Sequence, residues 1–132
     1  MQKKNRYAKS EIDSIISDMY DELGISALDE FELCKRLKVK LKPYSELSAQ
    51  SKEYVKIMDI NSFNVFDKKK KVYTIYYNDF QLPLDITYSI LKEIGHITLA
   101  HKAGSVSKMI EDEEDALYFA KRALLFLKKE AC

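Results

Sequence analysis

Between Ile86 and His101 the chain reads ITYSILKEIGHITLAH. Ile86, Ile90, Leu91, Ile94, Ile97 and Leu99 spread apolar side chains around a broad girth of a helix, which calls for burial on several sides. Gly95 sits inside this pattern, where glycine costs about 1 kcal/mol relative to alanine. Its presence there predicts the close approach of a neighbouring element. Lys92, Glu93 and His96 lie in the middle of the same stretch. On a helix Lys92 and His96 share one face, and Glu93 points about 100° away from Lys92.

A length of 132 residues predicts one domain, residues 1–132, around one core. Hydrophobic residues make up 46% and charged residues 33%, ordinary values for a globular protein. The net charge of +1 argues against a strongly electrostatic nucleic-acid binder but leaves room for a local basic patch. No apolar run approaches the roughly 20 residues that cross a membrane. The N-terminal MQKKNRYAKSEIDS lacks the apolar core of a secretory signal. Cys34 reads as a small buried hydrophobe and Cys132 as a free thiol, so a reduced, cytoplasmic protein is expected.

In chain order, residues 1 to 9 are polar and basic and are expected to fray. Ser10 is placed to cap a helix running to Leu23, with Asp13 at the capping-box position and Gly24 as its stop. Ile12, Ile15, Ile16, Met19 and Leu23 form its apolar stripe. A second helix fits Leu28 to Leu37, with Phe31, Cys34 and Leu37 inward. Val39 to Leu41 alternates as a short strand ended by Pro43; residues 45 to 58 are ambiguous, with Ser51 to Met58 reading as a short helix or as the approach to a strand. The alternating runs around Phe63 and Val65 and around Tyr73, Ile75 and Tyr77 predict a β-hairpin. Its tip, Asp67 to Lys71, reads as a solvated basic turn that protects an edge, with a phosphate-binding patch as the alternative. Pro83 starts the central helix, and Ala103-Gly104-Ser105 breaks it. A last helix spans about Lys108 to Lys129, acidic at its start, with Ala116, Phe119, Ala120, Ala123, Leu124 and Leu127 inward. The expected fold is α+β, with helices packed on a small, mainly antiparallel sheet.

Lys92-Glu93-Ile94-Gly95-His96 fits the zinc-binding pattern His-Glu-x-x-His at every fixed position but the first. In an intact pattern two histidines four residues apart hold zinc and the glutamate polarises the attacking water. Taken alone the match is weak, because Glu-x-x-His is common and a single helical histidine is more often structural. A third ligand has to come from a later helix, and the acidic run Glu111 to Asp115 holds the candidates Glu113 and Asp115. An acidic run at a helix start is also simply what the helix dipole favours.

From Ile75 to Leu125 the chain resembles the ImmA/IrrE family of metallopeptidases. The likeness rests on Tyr76-Tyr77-Asn78-Asp79, Leu82-Pro83, Leu91 through His96, Ala100-His101, and Glu113-Glu114-Asp115-Ala116-Leu117-Tyr118-Phe119-Ala120. The family pattern has a strand ending in Tyr-Asn, Leu-His-Glu-x-Gly-His with a trailing Gly-His, and then Glu-x-Glu-Ala-x-x-Phe-Ala. The resemblance implies a zincin-like fold. It puts Glu93 at the catalytic glutamate, His96 at the second zinc ligand, and Glu113 and Asp115 at two acidic positions, one of which supplies the third ligand. Three departures stand out: Lys92 replaces the first histidine, Asp115 is shorter than the glutamate expected there, and Leu84-Asp85 occupy a region where basic residues are frequent. His101, five residues after His96 and about 140° round the helix, is no simple replacement ligand.

The family implies zinc, and Lys92 implies its absence. An amine donates a lone pair only when neutral, its reference pKa is about 10.4, and nearby Glu93, Glu113 and Asp115 favour the ammonium. The expectation is an ammonium standing near the vacated cation position. Three readings follow. In the first, a metal-less pseudo-enzyme of a phage or mobile element regulates a helix-turn-helix repressor by binding it, without contacting nucleic acid or membrane. In the second, an active zinc endopeptidase cleaves such a repressor. In the third, the domain has another role, such as part of a toxin–antitoxin pair.

Overall fold

The computed structural model describes residues 7–23, 29–100 and 106–131, with side chains left out at 106–107 and 126–131. Gly24, Leu28, His101, the 103–105 break, the side chain of Leu127 and Cys132 lie outside the described residues, as do residues 1–6. The elements are α1 (Lys9–Leu23), α2 (Glu30–Arg36), β1 (Lys40–Pro43), a 3-10 turn (Tyr44–Glu46), α3 (Ala49–Ile57), β2 (Ser62–Asp67), β3 (Val72–Tyr77), α4 (Pro83–Thr98) and α5 (Val106–Ala131). The class is α+β, with five helices and a three-stranded sheet among the described residues.

The sheet is mixed rather than mainly antiparallel. Its order is β1-β3-β2, with β1 parallel to β3 and β2 antiparallel to it. The hairpin lies where alternation placed it, because a short turn forces β2 and β3 together. The alternation in β1 encodes a strand but not its partner. Pro43, lacking an N–H, suits an edge, and β1 takes the free side of β3, the most β-branched and aromatic of the three strands.

Burial of α4 on several sides holds. Ile90, Leu91, Ile94 and Leu99 are inaccessible to solvent or nearly so, and they join Ile12, Ile16, Leu33, Ile75 and Phe119 in one core. Full burial of each such side chain is worth about 1.5–3 kcal/mol. Gly95 faces α5. A Cβ there would lie 3.1 Å from Phe119, so the missing side chain lets the two helices close up. In α5, Ala116, Ala120 and Ala123 are likewise buried and keep the approach short. Cys34 is buried, which pushes its thiol up to about 12.

Several local expectations need correction. Helix α1 starts at Lys9, and its first turn is closed by Glu11, whose side chain accepts from the Ala8 N–H at 3.0 Å. Ser10 therefore lies inside the helix, and Asp13 turns to α5, accepting from the Tyr118 hydroxyl at 2.9 Å and from Arg122 at 3.1 Å. Tyr7 is not frayed, since its hydroxyl donates to the Leu99 carbonyl at 3.2 Å. In α2, Asp29 caps the N-terminus, and Leu33 rather than Phe31 joins Cys34 inside. Phe31 instead sets its ring edgewise to Tyr77 at 6.1 Å. Residues 49–57 are helical behind the Ser48 cap. Helix α4 ends at Thr98, and Ala100 turns left-handed at φ 56°, so the chain leaves the helix before the 103–105 break. The buried Leu99 and its bonded carbonyl anchor this exit. No helix among the described residues is long and apolar enough to cross a membrane.

Candidate functional site

The site lies where α4 meets α5 on one side and β2 on the other. The α4 spacing puts Lys92 and His96 side by side, and α5 delivers Glu113 to both. Lys92 Nζ is 3.1 Å from Glu113 Oε1, and His96 Nε2 is 3.0 Å from Glu113 Oε2. Each oxygen of one carboxylate thus has its own nitrogen. The Glu113 side chain is 44% exposed, against 21% for Lys92 and 18% for His96. Its carboxyl is held down at about 2, first by the His96 hydrogen bond and then by the charge and hydrogen bond of Lys92, which outweigh its partial burial.

Glu93 points the other way, toward the sheet, and is only 4% exposed. Its Oε2 accepts from the Ser62 hydroxyl and its Oε1 from the Asn64 amide, each at 2.7 Å. Lys92 Nζ stands 3.9 Å from Oε2, so the ammonium sits between Glu93 and Glu113, nearer to Glu113. Two phenols border the cluster. Tyr44 has its pKa raised by burial with the charge of Glu93 adding, and Tyr88 by burial with Glu113 adding.

Lys92, Glu93, His96 and Glu113 are brought together, and Asp115 is not among them. Residues two apart on a helix lie about 200° apart. Asp115 accordingly faces α1, where it is buried and accepts from the Tyr7 N–H at 3.3 Å. His101 is outside the described residues.

Ser62 and Asn64 were missed by sequence reasoning. Phe63 and Val65 mark the strand by alternation, but they face away from α4. The register pairs Asn64 with Ile75 and Ser62 with Tyr77, both core residues, so the polar positions of β2 face inward. A usable signal was present: a polar period of two, in a hairpin leading to a helix with a carboxylate amid its apolar girth. Buried carboxylates need donors, and an inward polar strand face supplies them. The cluster as built can hold α5 to α4 by charge and hold Glu93 in one orientation. Comparison of the chain with family models, with curated proteins and with solved structures finds no match.

Proposed function

We propose that this chain is a degenerate, metal-less protein of ImmA/IrrE type, zincin-like in fold and cytoplasmic. It regulates a helix-turn-helix repressor of a phage or mobile element by binding rather than by cutting. The observation that carries this reading is Lys92 Nζ, 3.1 Å from Glu113 and 3.9 Å from Glu93, at the sequence position that the resemblance gives to the first zinc ligand.

The donor set does not fit zinc. Protein zinc sites take at least three protein ligands. His96 and Glu113 offer two, while an ammonium has no lone pair and repels a cation. Asp115 is turned to Tyr7, and both Glu93 oxygens already accept short hydrogen bonds. Lys92 instead balances two carboxylates that would otherwise repel each other across the seam. The competing reading, an active zinc endopeptidase, is favoured by the convergence of His96 and Glu113 at 3.0 Å, and it requires Lys92 to bind as a neutral amine.

The test is incubation with a repressor encoded beside the gene, with and without zinc. The expected result is a stable complex with the repressor intact. Repressor fragments that vanish on adding a chelator would contradict it.

A further inference from the structure

One face of the sheet carries α4, and the opposite face carries a pattern that the site does not use. Strand parity and register lay it out in rows: Lys40, Thr74 and Val65; then Lys42, Tyr76 and Phe63. Each row runs from a lysine at the β1 edge to an apolar side chain at the β2 edge. Phe63 and Tyr76 are stacked, with centroids 4.9 Å apart and planes 14° from parallel. Val65, Lys40 and Lys42 are exposed. At the end of this face the turn adds four more lysines, 68–71, all exposed.

Six lysines face one carboxylate here, Asp67, a surplus of five positive charges on a chain whose net charge is +1. The rest of the chain is therefore net negative. Asp67 is engaged by the turn, accepting from the Lys69 N–H at 2.9 Å and the Lys70 N–H at 3.1 Å. Its carboxyl is lowered first by the Lys70 N–H bond, with the charges of Lys70 and Lys40 adding, so strand and turn lysines share one field. None of the six lysine side chains makes an ion pair among the described residues.

We propose that this sheet face binds single-stranded nucleic acid, with bases against the exposed Val65 and the half-buried Phe63–Tyr76 pair and phosphates along Lys40, Lys42 and the 68–71 turn. Edge protection explains charge on a strand, but it does not call for flat aromatic rings beside that charge. Aromatic platforms lined by cations suit unpaired bases, whose flat faces are hidden in a duplex. An acidic peptide would use the lysines and leave the rings idle. The inference is independent of whether the α4–α5 seam ever held a metal.

The test is fluorescence anisotropy with labelled oligothymidylate of about 12 nucleotides, within the span of one small binding module. A duplex of equal length and poly-glutamate serve as competitors. The single strand is expected to bind at least about tenfold tighter than either competitor. Lys40→Glu with Lys42→Glu should weaken binding at least tenfold and flatten the logarithmic salt slope by about 1.4, about 0.7 for each lost phosphate contact. Phe63→Leu should weaken it about fivefold and leave the slope unchanged, as expected for lost stacking. The lysine pair is exposed, so that variant folds as the parent and keeps the test decisive. Absence of binding at low salt would overturn the proposal. So would equal competition by poly-glutamate or duplex, or a Phe63→Leu variant that binds as the parent does.

Discussion

Glu93 and Glu113 flank one ammonium and are held by opposite means. Glu93 is buried, and two neutral donors from β2 fix it at 2.7 Å each. Glu113 is nearly half exposed, and nitrogens of Lys92 and His96 hold it at 3.1 and 3.0 Å. A buried carboxylate is positioned by the sheet and becomes expensive when a donor is lost. A half-exposed one is positioned by charge, and water, salt and protons compete for it. The sheet side is thus the rigid half of the site and the α5 side the adjustable half.

The largest effect is expected on the rigid side. Asn64→Ala leaves Glu93 Oε1 buried without its donor and should cost about 1.5–3 kcal/mol in urea denaturation, the range for a hydrogen bond to a charged group. A loss below about 0.5 kcal/mol would mean that water replaces the amide and that this side is not rigid.

A smaller effect is expected at Glu113, and it should depend on pH. Its folded pKa, about 2, lies below the ordinary carboxylate value. Its contribution is therefore full above the unfolded pKa of about 4.3 and is lost as pH falls through the folded value. Exposure of the pair discounts this to about 1 kcal/mol. Between pH 6 and pH 2 the parent should lose about 1 kcal/mol more stability than Glu113→Gln. Identical pH profiles would show that the charges do not hold Glu113. The smallest effect is that of salt. Raising ionic strength to about 1 M shrinks the screening length to about 3 Å, and it should weaken the Glu113 contacts by a few tenths of a kcal/mol. Asn64→Ala should cost the same at low and high salt, because a neutral donor to a buried carboxylate is little screened.

What the sequence made legible follows the same division. Periodicity located α1, α4, α5 and the hairpin, because each buries one continuous apolar pattern. Gly95 announced a close neighbour, and Phe119 is that neighbour. Lys92, Glu93 and His96 were visible because all three sit on one helix, where spacing fixes geometry. The choice between Glu113 and Asp115 depended on how α5 is rotated against α4, which spacing within α5 does not determine. Ser62 and Asn64 were hidden because alternate polar residues in a strand usually face water, and here they face a buried charge. The left-handed exit at Ala100 was illegible for a related reason: alanine has no preference for that conformation, and packing around Leu99 imposes it.

The adjustable half also carries the central claim, that Lys92 holds the place of a metal. The direct measurement is zinc content and affinity, by elemental analysis and calorimetry, of the protein purified without chelators and of its Lys92→His variant. The pseudo-enzyme reading predicts no stoichiometric zinc in the parent. It predicts zinc bound at least about a hundredfold more tightly by the variant, in which the introduced imidazole would join His96 and Glu113 as a third ligand. Near-equimolar zinc in the parent, with an anomalous scattering peak beside His96, would contradict it.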